Sequence, residues 1–250
     1  MSRHAAASAS TTMTTVMKGG LFEQRSLRLL REHLSMSLRR VGGKGDGGID
    51  LQGWWWLPAE CVSHAHASRL DSSGWPRKRL RIVAQCKAEE KKIGPRFIRE
   101  FEGTVLRHSA YLAPRGHDRE PPHTRDALVG MFLSISPFTK ASLLQAYSSP
   151  IPLALLHLPV VRSQVLAEDG TDLDTTAGDP ASAVVAEPVL PGTLLFNPAL
   201  GGPDGLLHWM VEPRWQLSPT TGQGYPVIWS NGKRISSWTP EDDSDNPETP

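Results

Sequence analysis

The sequence predicts a mixed α/β domain, and three observations carry that reading. Segments with apolar residues at helical spacing alternate with segments of two-residue period, in the order helix–strand–strand–strand–helix–strand–helix–strand. An apolar share of 39 % against 21 % charged residues suits a chain with a sizeable core. The 22 glycines and 21 prolines predict many turns between those elements. A length of 250 residues fits one domain, with two an alternative. Cys61 and Cys86 are too few for a disulfide framework. No apolar run approaches the ~20 residues needed to span a bilayer.

Residues 1–19 contain no acid and are rich in Ser, Thr and Ala, with Arg3 and Lys18. That composition is compatible with a mitochondrial transit segment and equally with a disordered tail. Residues 21–38 read as an amphipathic helix, with Leu27, Leu30, Leu34 and Leu38 on one stripe and Arg25, Arg28, Arg31 and Arg39 on a basic face. Glu23 falls on the apolar stripe. Such a carboxylate either sits in the exposed first turn, where the helix dipole favours it, or points into a site.

Four glycines between Gly43 and Gly48 mark a turn. Ile49 to Trp56 then alternates, with Ile49, Leu51, Gly53 and Trp55 on one side and Asp50, Gln52, Trp54 and Trp56 on the other. Residues 58–78 look like an irregular hairpin excursion. Leu80 to Lys87 alternates cleanly, with Leu80, Ile82, Ala84 and Cys86 on the apolar face and Arg81, Val83, Gln85 and Lys87 opposite. A helix starts at Gly94-Pro95, with Ile98, Phe101 and Val105 on its buried stripe. A basic loop at 113–125 leads to a strand from Ala127 to Ser134. Thr139 is a good N-cap for a helix at 140–148, followed by a strand from Ile151 to Leu158. Residues 163–190 read as an acidic loop. Residues 191–238 read as an extension packed on the first domain, and 239–250 as a disordered acidic tail.

The charge is divided. Residues 1–125 carry 22 Lys and Arg against 12 Asp and Glu, and residues 126–250 carry 5 against 14. A basic half suits a polyanionic partner; solvation of two faces of one domain explains it as well.

The chemistry-bearing constellation is Asp50 with Gln85 and Lys87. Hydrolysing a phosphodiester takes a divalent metal, a hard oxygen cage and a cation against the charge that builds on phosphorus. Asp50 supplies a carboxylate, Gln85 an amide oxygen and Lys87 an ammonium group. Gln85 and Lys87 project from one face of one strand. Taken alone, the same residues also read as a turn-ending acid and a strand-edge lysine.

The run Gly43-Lys44-Gly45-Asp46-Gly47-Gly48-Ile49-Asp50, then Gln85-Cys86-Lys87, Ile93-Gly94-Pro95 and Arg99-Glu100-Phe101-Glu102-Gly103, resembles the Mrr-type branch of the PD-(D/E)XK restriction-endonuclease superfamily. Gly53, Trp54 to Trp56, Leu57-Pro58 and Arg99-Glu100 make it similar to the fungal mitochondrial "required for respiratory growth" family, protein seven of that series. The resemblance covers residues 20–160 well and 190–238 loosely. It implies a restriction-endonuclease-like core, with a mixed central sheet flanked by helices and a C-terminal extension. It also implies a mitochondrial location, Mg²⁺ or Mn²⁺ as cofactor, and DNA, double-stranded, as substrate. Pairing of two copies is a further option, since Mrr-like enzymes often work in pairs. By resemblance Asp50, Gln85, Lys87 and Glu23 are the catalytic positions, with Asp50, Gln85 and Glu23 the metal ligands. The usual acid of the second motif is Gln85 here, so metal binding should be weaker.

Lys44, Arg77, Lys78, Arg79, Lys91, Lys92 and Arg96 are the candidate nucleic-acid contacts, with Arg81 beside them. The cluster at 77–81 reads equally as a solvated hairpin base. Gly42 to Gly48 lacks the Walker spacing of a nucleotide loop. Cys61, His64, His66 and Cys86 match zinc spacings poorly. Trp54 and Trp56 could stack on bases, with Trp55 in the core. A non-catalytic nucleic-acid-binding or maintenance factor, and a scaffold without a nucleic-acid role, are the alternatives to a nuclease.

Overall fold

A computed structural model describes residues 15–41, 47–62, 68–111, 127–160 and 192–241. The expectations for residues 1–14, for Lys44 and Asp46, for His64 and His66, for the 113–125 loop and for the 163–190 segment lie outside these residues, as does nearly all of the 239–250 tail.

The first helix, α1, spans Thr15–Leu34, and a short strand, β1, follows at Met36–Arg40. The helix is therefore shorter at its end than its leucine spacing predicts, and Leu38 belongs to a strand. The reason is local. Ser35 takes a left-handed φ of 58°, which ends the helix, and Leu38 then pairs with Gly53. The turn is held from far along the chain. Ser35 donates its backbone N–H to Ser237 Oγ (3.0 Å), Ser237 donates to the Arg31 carbonyl, and Trp238 donates its N–H to Ser35 Oγ.

Strand β2 covers Leu51–Pro58, β3 Ser68–Leu70 and β4 Pro76–Lys87. Helix α2 runs Pro95–Tyr111, β5 Leu128–Ser134, α3 Lys140–Tyr147 and β6 Leu153–His157. Thr139 caps α3 as expected, accepting from the Ser142 N–H. Strand β7 follows at Thr193–Phe196, α4 at Pro198–Gly201, β8 at Glu212–Leu217, β9 at Gly224–Ser230 and β10 at Lys233–Arg234.

The central sheet has the order β1-β2-β4-β5-β6-β7, with β3 paired to β4. It is mixed: β4, β5 and β6 are parallel, and the other pairs are antiparallel. The parallel strands are joined through α2 and α3, the crossovers that parallel pairing demands. Strands β8 to β10 form a second, three-stranded sheet.

Alternation along β4 divides the core into two layers. Leu80, Ile82 and Ala84 pack on the α1 side with Leu30, Leu34, Trp55 and, from the late segment, Val211, Ile228 and Ile235. Val83 faces α2 and α3 with Ile98, Phe101, Val105 and Phe132. Ile49 differs from its expected side. It packs in the α2 layer while Leu51 lies in the α1 layer, because β2 begins only at Leu51 and residue 49 still belongs to the turn. Gly130 lets α2 approach β5 closely; a Cβ there would stand 2.7 Å from Val105 and 2.8 Å from Leu153.

The late segment is built into this body. Strand β7 pairs with β6. Buried Asn197 accepts from the Leu153 and Leu200 N–H groups and donates to the carbonyls of Ala146, Ser149 and Ile151. Trp238 meets Trp56 edge-on at 5.7 Å.

Candidate active site

Asp50 is delivered by a glycine turn. Gly47 and Gly48 have φ of 63° and 88°, values that side chains resist. The turn is fastened to α2, where Thr104 Oγ1 and the Arg107 guanidinium both donate to the Gly47 carbonyl, at 3.2 and 2.7 Å. Asp50 then straddles Gln85. Its backbone N–H donates to the Ala84 carbonyl at 2.9 Å, and its carboxylate Oδ2 accepts from the Cys86 N–H at 2.6 Å. That contact is short for an N–H···O bond, as a charged acceptor favours.

Gln85 and Lys87 project from the α2 face of β4. The Gln85 amide lies beside the turn, with Nε2 3.8 Å from where a Cβ on Gly48 would stand. Lys87 Nζ lies 3.2 Å from Glu89 Oε1 and 5.2 Å from the Phe97 ring centre. Asp50, Gln85 and Lys87 thus gather at the end of β4.

Glu23 lies on α1 with its side chain only 17 % exposed, and the Arg40 guanidinium holds it with contacts of 2.7 and 2.6 Å. It is an inward acid, as its place on the stripe suggests, and it has a basic partner on β1. The Cys86 thiol is shifted by its surroundings. Burial raises it well above the usual thiol value, and the charges of Asp50 and then Glu23 add to the effect. Among the described residues no three of His, Cys, Asp and Glu converge as a metal cluster. Cys61 and Cys86 are free thiols, and Cys61 instead contacts Ser230 Oγ at 3.5 Å.

The candidate nucleic-acid contacts separate into two groups. Arg77 is buried, ion-paired with Asp71 at 3.0 Å and donating to the Ser236 carbonyl. Lys78 donates to the Val62 carbonyl, and Arg79 lies 4.0 Å over the Trp54 ring. Trp54, Trp55 and Trp56 are all buried, so none offers a face for base stacking. Lys91 and Lys92 are exposed in the loop after β4, and exposed Arg96 is paired with Glu100. At about 3.3 Å per residue, Arg77 lies roughly 33 Å from Lys87 along the strand. Only the second group borders the site.

Sequence reading missed Arg40, Thr104 and Arg107. Arg40 was hidden because β1 was merged into the helix. Thr104 and Arg107 fall three apart, spacing that would put both on one face of α2, and they could have been sought as partners for the glycine turn.

Sequence comparison settles the family. The profile of the family described as required for respiratory growth protein 7 matches residues 14–189. The chain belongs to that family. An uncharacterized mitochondrial protein of Schizosaccharomyces pombe is 33 % identical over 157 residues, covering 63 % of this chain and 51 % of that protein. Required for respiratory growth protein 7 of Saccharomyces cerevisiae is 32 % identical over 121 residues, 38 % of this chain and 50 % of that protein. Its namesake in Vanderwaltozyma polyspora is 25 % identical over 175 residues, 60 % of this chain and 66 % of that one. The chain spans about half the length of the first two relatives. All three are named mitochondrial, in agreement with the location expected from the sequence. No solved structure matches. Among the described residues no helix is long and apolar enough to cross a membrane.

Proposed function

We propose that this family member is a metal-dependent phosphodiesterase of restriction-endonuclease ancestry, of the Mrr-like PD-(D/E)XK type, which acts on mitochondrial DNA and so supports respiratory growth. The observation that carries the reading is Asp50 bracketing Gln85 on β4, with Lys87 two residues on from Gln85. The donor set fits a hard cation of the Mg²⁺ or Mn²⁺ type, which takes one or two carboxylates and fills its remaining positions with water and phosphate. Asp50 and the Gln85 amide oxygen would hold it; Glu23, on the opposite α1 face of the sheet, would join them only around the end of β4. Bound there, such an ion supplies Lewis-acid polarisation of a phosphoryl oxygen and an acidified water. Lys87 stabilises the negative charge that develops on the phosphoryl group. Arg40 neutralises Glu23 and so limits the negative charge offered to a cation. Lys91 and Lys92, exposed just after β4, would contact the flanking backbone of double-stranded DNA, and two copies acting together would address both strands.

A second reading is a nucleic-acid-binding or maintenance factor that kept the fold without turnover. The Glu23–Arg40 pair and the amide at Gln85 favour it, since both reduce the negative charge at the site. Incubating the protein with plasmid and Mg²⁺ or Mn²⁺, beside Asp50→Ala and Lys87→Ala, separates the two. The first reading expects cleavage that either substitution abolishes. Cleavage indifferent to both would remove the site assignment. Salt-dependent DNA binding without cleavage would select the second reading, and no binding at low salt would leave a scaffold role.

A further inference from the structure

A second cleft lies on the far side of α1 from the β4 site. It measures about 480 Å³ and opens between α1 and the β8–β9 hairpin. That volume is in the range of small-ligand pockets, ~300–1,000 Å³. From α1 it is lined by Arg25, Arg28, Glu32 and His33, and from the hairpin by Thr221, Gln223 and Tyr225, so two arginines face one acid.

The charges in this cleft do not balance. Arg28 has its partner one turn on, Glu32, at the loose distance of 4.0 Å. Arg25 is half-buried and has no ion pair among the described residues. Its guanidinium is held below its usual value, first by burial and then by the charge of Arg28. An arginine desolvated beside a second arginine is a standing cost to the fold, which a bound anion would offset. At the far end of the lining the charge of Glu32 acts on His33, and that of Arg234 opposes it.

The opposite wall is preset. In the hairpin turn Ser218 Oγ accepts from the Thr221 N–H, Thr221 Oγ1 accepts from the Gln223 N–H, and Gly222 takes a φ of 65°. The His33 and Tyr225 rings stack at 4.4 Å, 24° from parallel, and supply a flat apolar end. Burial lowers the imidazole's proton affinity, and the charge of Glu32 partly opposes this.

From this geometry we infer that the α1–hairpin cleft is an oxyanion site that takes a phosphate group, with Arg25 and Arg28 as its cationic clamp and the Thr221 and Gln223 side chains as hydrogen-bonding partners. Guanidinium groups suit this role because their planar donors match phosphate oxygens two at a time. The phosphate is carried either by a small phosphorylated molecule or by a nucleic-acid backbone. The site stands apart from the β4 constellation and does not depend on the nuclease reading.

Calorimetry of the whole chain with pyrophosphate, at low salt and without divalent metal, tests it. Wild type and Asp50→Ala are expected to bind alike, and Arg25→Gln/Arg28→Gln at least roughly tenfold more weakly. Arg25→Lys retains the charge but not the paired donors, and is expected to fall between them; it also guards against a misfolded double variant. Competition with a short DNA oligonucleotide names the source. Displacement of pyrophosphate assigns the site to backbone phosphate, and its absence assigns it to a small phosphorylated molecule. No pyrophosphate binding by wild type, or equal binding by the folded double variant, overturns the inference.

Discussion

Asn197 offers a sharp test of whether the late segment is integral to the domain, because it lies beyond the residues that match the family profile. Its side chain makes five hydrogen bonds, four with the backbone around α3 and β6 and one with the Leu200 N–H of α4, and it is itself buried. Replacing it by Ala does not orphan all five partners. Leu200 N–H also reaches the Asn197 carbonyl at 3.1 Å, and the Ala146 carbonyl also receives Ser149 N–H at 3.2 Å. Leu153 N–H and the Ser149 and Ile151 carbonyls lose the side-chain partner they have here. At ~1–3 kcal/mol for each buried group left unsatisfied, with carbonyls at the low end, Asn197→Ala should cost about 3–5 kcal/mol. That is a large part of the ~5–15 kcal/mol by which a domain is stable. At ~2–4 °C per kcal/mol for a chain of this size, the melting temperature should fall by roughly 6–20 °C. Urea titration followed by tryptophan fluorescence measures the free energy, and calorimetry the temperature. A loss below about 1 kcal/mol, the scale of a single ordinary hydrogen bond, would refute the reasoning.

Gly130→Ala should cost about 1–3 kcal/mol by overpacking β5 against α2, measured by urea titration. In a Cys61→Ala background, Cys86 should alkylate slowly with iodoacetamide until the pH is well above the usual thiol value; Asp50→Asn removes a negative neighbour, lowers that threshold and speeds the reaction at fixed pH. Arg40→Gln should raise Mn²⁺ affinity several-fold by unmasking the Glu23 charge, read by electron paramagnetic resonance; unchanged affinity would remove Glu23 from the ligand set. Burial holds His33, His108 and His157 below the usual histidine value of 6.5, so the unfolded chain takes up protons first. Their contribution to stability is therefore present above that pH and lost as pH falls below it, which thermal melts across that range should show.

Much of the sheet was legible because β2, β4, β5 and β6 are strongly patterned and bounded by turn residues. Asp50, Gln85 and Lys87 were legible for the same reason: the two-residue period put Gln85 and Lys87 on one face. What escaped depends on distant partners. Nothing near Ser35 announces a helix end, since the left-handed residue is held by Ser237 and Trp238 and the leucine spacing continues through it. The Trp54–Trp56 cluster looked open to bases on one side; Arg79 and Trp238, from elsewhere in the chain, cover it. Arg77 looked like a surface cation in its basic run, yet it is a buried partner of Asp71 six residues earlier. A run of like charges does not reveal which member turns inward.

The clasp of Ser35 by Ser237 joins positions 202 residues apart. The close of the first helix therefore depends on a partner far along the chain. Contacts at such separation impose loop-closure entropy before they return any stabilisation, and they slow folding. The frame carrying Glu23 and Arg40 is thus latched by a contact of long sequence separation, not by its neighbours along the chain.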